Sequence, residues 1–168
     1  GARPSHALWQ GKVYSISGKS KKYPKLSTAT GYGTGDGLKG WNCRHDFYPF
    51  FEGISERANL PVDVTENNRQ YELSQKQRAM ERSIRATKRR LAAYDGAISE
   101  TEDEVLKRRL QNQFERHSAI LKTKEKRLSE FCDTNDLYSE KDRVRVVGFN
   151  KSVSQKAVYG NNRYFVKQ

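Results

Sequence analysis

The chain has little that could staple or anchor it. Two cysteines, Cys43 and Cys132, stand far apart among its 168 residues. No disulfide framework is therefore implied, which fits folding in a reducing cytosol. No apolar run approaches the ~18 residues that span a bilayer, and Gly1–His6 lack the apolar core of a signal peptide. No initiator methionine precedes Gly1, so Gly1 is expected to be an internal start and the chain a C-terminal piece of a longer protein. Apolar residues are scarce at 35%, enough for one modest core beside long polar helix faces. Acidic residues are outnumbered 20 to 32, leaving a net charge of +12. An excess of that size draws polyanions, nucleic acid first among them and an anionic membrane surface or an acidic protein partner as alternatives, unless it only keeps the chain soluble.

Three zones follow one another, expected to form one composite domain. Residues 1–66 carry glycine, proline and aromatics. Gly11–Gly18 alternates like a strand between glycines. Thr30–Gly40 holds five glycines in eleven residues and must be a loop of special backbone conformation. Trp41 and the run Phe47-Tyr48-Pro49-Phe50-Phe51 are expected to form a buried aromatic cluster. Residues 67–132 read as two amphipathic helices. Leu73, Met80, Ile84, Leu91 and Tyr94 mark the apolar stripe of the first, with Gln77 and Thr87 as polar gaps. Asp95-Gly96 signals the turn between them, and Ser99 with Glu102 a capping box. Leu106, Leu110, Phe114, His117, Leu121, Leu128 and Phe131 mark the second stripe, giving an antiparallel hairpin. Lone His117 is expected to be a hydrogen-bonded interior residue. Residues 133–168 return to β-type composition, with a strand at Arg143–Val147 and a Gly160-Asn161-Asn162 turn before Arg163–Val166. The expected fold is α+β: a small antiparallel or mixed sheet with an aromatic core, its C-terminal strands packing on the first zone, and a projecting basic helical hairpin.

Two short motifs carry the chemistry of the first zone: Arg3-Pro4-Ser5-His6-Ala7, with Trp9 and Gly11 just after, and Gly40-Trp41-Asn42-Cys43-Arg44-His45. In order and spacing they resemble the Mu-type minor head protein (MuF) domain. The longer string HALWQGKVYSISG … YGTGDGLKGWNCRHDFYPFFEGIS resembles the relative called phage minor capsid protein 2, closely over residues 1–57 and loosely up to Val146. The resemblance implies a structural virion protein of tailed bacteriophages: a head morphogenesis component assembled in the host cytoplasm, binding portal or major capsid subunits and touching genomic DNA. The family's N-terminal helical region would precede Gly1. The family-motif residues are then Arg3, His6, Trp9, Gly11, Gly40, Asn42, Cys43, Arg44 and His45.

His6, Cys43 and His45 are each capable metal ligands, and three ligands plus water make an open zinc site. The C-x-H step is tighter than the usual C-x₂₋₄-C pair and no fourth ligand is evident, so no stoichiometric zinc is expected. A Cys–His nucleophilic pair lacks an orienting third residue. The bland assignment has His6 and Asn42 satisfying buried backbone, Cys43 packed as a small hydrophobe, and Trp9 and Trp41 in the core. The glycine loop lacks both the P-loop and the GxGxxG pattern, so it is read as a docking loop; no cofactor and no small-molecule substrate are expected.

The basic excess gathers on the first helix. Lys76, Arg78, Arg82, Arg85, Lys88, Arg89 and Arg90 face only Glu72 and Glu81. Such a stripe neutralises phosphates without reading sequence, or is simply solvated. The leading expectation is head assembly, without catalysis or membrane contact. The rivals are a metal- or cysteine-dependent nuclease or protease of the capsid, and a free-standing nucleic-acid-binding module.

Overall fold

A computed structural model describes residues 2–57, 59–61 and 63–166; Gly1 lies outside them. The helices in chain order are α1 (Pro4–Ala7), α2 (Leu26–Thr30), α3 (Val64–Glu100), α4 (Glu104–Thr134) and α5 (Lys151–Val166), with a 3₁₀ turn at Lys141–Val144 before α5. The chain divides into two compact units, Gly1–Ser74 and Gln75–Gln168, the boundary falling inside α3.

In the second unit, α3 and α4 form the antiparallel hairpin the two stripes call for. Gln77 reaches Cys132 near one end of the pair, while Lys124 donates to Thr87 further along. Ile84 and Leu91, both 0% exposed, pack with Phe114, Leu121, Leu128 and Cys132. The polar gaps are satisfied: Gln77 Nε2 donates to the Tyr138 carbonyl at 2.9 Å, and Thr87 Oγ1 to that of Ser83 at 3.0 Å. The turn lies later than Asp95-Gly96, which are helical. Asp103, not Ser99, caps α4, its carboxylate accepting from the backbone N–H groups of Val105 and Leu106. That relieves two of the donors a helix start leaves orphaned. His117 is half-buried, with Nδ1 2.9 Å from the Gln113 carbonyl and its ring against Tyr94.

The expected sheet is absent: among the described residues no β-strand forms, and the fold is helical, not α+β. Gly11–Gly18 contributes only an isolated bridge between Ser15 and Lys25. Arg143–Val147 is not a strand. Its first residues close the 3₁₀ turn, where Arg143 pairs with Glu140 at 2.8 Å and takes a hydrogen bond on its carbonyl from Arg85. Val144 and Phe149 pad the helical core, while Val147 is fully exposed. A lone alternating segment has no ladder to complete, so its apolar side chains go where burial is available.

Gly160-Asn161-Asn162 is no turn; it lies inside α5. Asn150 opens that helix by accepting from the N–H of Val153 at 3.0 Å. Val153, Ala157 and Gly160 then form its buried stripe. A Cβ on Gly160 would stand 2.9 Å from Ser118 Oγ and 3.4 Å from Phe114 Cδ1. The glycine thus lets α5 close on α4, where the Gly-Asn-Asn string suggests a break.

The first unit has little regular structure and a thin apolar interior. Ala7, Leu26 and Leu38 are its buried hydrophobics among the described residues. The expected aromatic core does not form. Trp41 is 73% exposed, Tyr48 and Phe51 are also exposed, and Phe50 is half-buried with an edge contact to Tyr23. Pro49 removes a donor from a segment with no regular partner, and the rings have no sheet to pack against. Asn67, at the start of α3, clamps the first residues by accepting from the Ala2 N–H and donating to its carbonyl.

Candidate functional site

The two motifs meet. Pro4 stands at the start of α1, where its missing N–H costs nothing, and the turn carries His6 inward, 2% exposed. The glycine loop is a run of consecutive turns. The N–H groups of Thr34, Gly37, Gly40 and Cys43 donate in succession to the carbonyls of Gly31, Thr34, Gly37 and Gly40, at 2.9, 3.3, 3.0 and 3.1 Å. Each is a three-residue closure of the β-turn type. A Cβ on Gly40 would run into the carbonyls of Thr34 and Gly35, so only glycine lets the chain pass there. Asn42 takes a left-handed φ of 55° and is exposed, a conformation asparagine tolerates. It does not serve buried backbone as expected. Cys43 follows, half-buried.

Three ligand-bearing side chains converge. His6 Nδ1 lies 3.3 Å from His45 Nδ1, and Cys43 Sγ lies 3.5 Å from that same nitrogen. One ligand atom from each of the three residues falls within 4.8 Å of the others. His6 Nε2 faces the Asp36 carbonyl at 3.2 Å. A carbonyl only accepts, so Nε2 carries the proton and Nδ1 turns a lone pair into the cluster. Trp9 lies against both imidazoles, at centroid distances of 4.8 and 5.3 Å. Burial, then the neighbouring His6, hold the His45 pKa below the ordinary histidine value. Arg3 donates to the Trp41 carbonyl at 3.3 Å, tying one motif to the other. Gly11, at φ 71°, presents its carbonyl to Arg57. Arg44 is exposed. Trp9, Arg44 and His45 also line an open cleft of about 790 Å³.

The basic residues of α3 divide in two. Lys88 is taken up by the fold, paired with Glu125 at 2.9 Å and set over the Phe149 ring. Arg85 is half-buried and donates to the Arg143 carbonyl. Lys76, Arg78, Arg82, Arg89 and Arg90 are exposed, and no carboxylate lies within ion-pair distance of them among the described residues. Arg78, Arg82, Arg85 and Arg89 follow at steps of four, three and four, along one face about 16 Å long at 1.5 Å per residue. Glu81, counted above as an opposing charge, is buried, its nearest cation Arg143 at 4.0 Å. No helix among the described residues is long and apolar enough to cross a membrane.

The contact of His6 with the Asp36 carbonyl has no local signal in the sequence, because no spacing links a motif histidine to a glycine-loop backbone. A family model described as "Phage minor capsid protein 2" matches residues 1–133. A structural protein of Lactococcus phage mv4 is 40% identical over 72 residues, covering 43% of this chain and 58% of that protein. A structural protein of Lactococcus phage LL-H is 37% identical over 93 residues, covering 53% of this chain and 25% of that protein. The matched stretch is thus less than two thirds of either relative's length. No solved structure matches the chain.

Proposed function

The chain belongs to the phage minor capsid protein 2 family, and on that premise we propose that it is a non-catalytic virion component that docks on portal or major capsid subunits. The observation that carries the reading is the exposed apolar segment of the first unit. Trp41, Tyr48, Phe51, Ile54 and Leu60 all lie largely in solvent. Large exposed aromatics are what a protein interface selects, whereas a monomer surface tends to avoid them. Purified virions should contain the chain by mass spectrometry. A Trp41→Ala/Phe51→Ala variant should fold but fail to enter particles. Incorporation at parental levels would overturn the docking assignment.

A second role rests on α3. Like charges at four-residue spacing weaken a helix, so stability does not account for the exposed Arg78, Arg82 and Arg89 along the face where Arg85 is held by the Arg143 carbonyl. We read that face, flanked by Lys76 and Arg90, as a sequence-independent contact for packaged DNA, with Lys88 kept for the fold. Each phosphate neutralised contributes a log–log salt slope of about −0.9 on duplex DNA. Changing Arg78, Arg82 and Arg89 to Gln should leave the helical signal intact and flatten the slope by about two to three units. An unchanged slope, or no binding at low salt by the parent, would remove the DNA role.

A further inference from the structure

We propose that His6, Cys43 and His45 bind one zinc-like divalent ion, with water completing the coordination, in place of the metal-free site that their spacing in sequence suggests. Zinc at its usual bond lengths of ~2.0–2.1 Å to nitrogen and ~2.3 Å to sulfur sets tetrahedral ligand edges of about 3.3 Å between nitrogens and about 3.6 Å between nitrogen and sulfur. Two of the three edges match these, at 3.3 Å from His6 Nδ1 to His45 Nδ1 and 3.5 Å from Cys43 Sγ to His45 Nδ1, and all three ligand atoms lie within 4.8 Å of one another. The C-x-H step looked too short for two ligands on one ion. It is long enough because the ligating nitrogen is Nδ1, the one nearer the backbone.

The surroundings match what a ligating histidine needs. Such a histidine donates its other ring N–H to a carbonyl or carboxylate, which sets tautomer and orientation. His6 does this with the Asp36 carbonyl. The chain of turns from Gly31 to Cys43 delivers the thiol, and the Trp9 ring packs on both imidazoles. One thiolate and two imidazoles form a ligand set suited to zinc, and a site with three protein ligands keeps one position open.

The first unit also gains most from a cross-link. Its buried hydrophobics among the described residues are few, and units of this size commonly add a metal or disulfides to a thin core. A metal held by α1 and the Cys43–His45 segment joins two stretches of chain nearly forty residues apart. Its binding free energy then becomes folding free energy for this unit.

The test uses the full chain, purified without chelators. Elemental analysis should find one zinc per chain. Metal-free protein should take up one equivalent of Co²⁺, with a thiolate-to-cobalt charge-transfer band in the near ultraviolet. Cys43→Ser should abolish that band, and His6→Ala should weaken affinity at least tenfold, while Cys132→Ser should keep both band and stoichiometry. The helices of residues 75–168 give these variants a folding readout independent of the site. Chelation should lower the melting temperature of the parent and leave Cys43→Ser unchanged. Absence of stoichiometric uptake by the parent overturns the proposal, as does uptake that survives in Cys43→Ser.

Discussion

Trp41 spreads its indole over Gly35, where a Cβ would come within 2.9 Å of the ring, yet 73% of its own surface stays in solvent. Its truncation removes little buried area, so Trp41→Ala should cost less than about 1 kcal/mol in urea unfolding, as surface changes do. Ile84, 0% exposed against Phe114 and Leu121, is the opposite case, and Ile84→Ala should cost about 2–5 kcal/mol. Equal losses for the two would mean that the aromatic segment is core after all. At this scale His6, Cys43 and His45 were legible as candidate ligands, although their C-x-H spacing pointed to a metal-free site. Their convergence was not, because it depends on α1 and the glycine loop meeting across nearly forty residues.

Among the elements, α3 and α4 declared themselves through apolar spacing, and α5 did not. Its stripe of Val153, Ala157 and Gly160 runs at steps of four and three, and Asn150 caps it, so the helical signal was present. The Gly-Asn-Asn string hid it, since glycine and asparagine mark turns when read locally. Tertiary contact reverses that meaning: Gly160 is what allows α5 to touch Ser118. Gly160→Val should therefore destabilise the chain by about 1–3 kcal/mol, the range for overpacking an interior contact, measured by chemical denaturation. A stabilised variant would show that the helix has room there. The turn between α3 and α4 moved from Asp95-Gly96 to Thr101–Asp103 for a related reason. Gly96 is tolerated inside a helix whose neighbours Tyr94 and Ile98 pack on the core, and Asp103 supplies a cap that Ser99, itself helical, does not.

Taken whole, the molecule places its large apolar side chains unevenly. Ile84, Leu91, Phe114, Leu121, Leu128, Cys132 and Val153 all belong to residues 75–168. A fragment of those residues should give a helical circular dichroism spectrum and a cooperative melt. The same fragment ended at Asn150 loses Val153 and Ala157 from the core and should melt broadly or not at all. If the longer fragment is unfolded, the division inside α3 does not mark an independent unit. The sequence by itself determined the helical hairpin, the concentration of positive charge on α3 and the family, because periodicity, charge and motif order are local properties of the chain. Only the tertiary structure decided that no sheet forms, that the aromatic segment faces solvent, that Lys88 serves the fold while Arg78, Arg82 and Arg89 stay free, and that two separate motifs close into one cluster. Each of these depends on whether a partner surface is available, and a strand pattern, an aromatic ring or a histidine carries no record of its partner in its own neighbourhood.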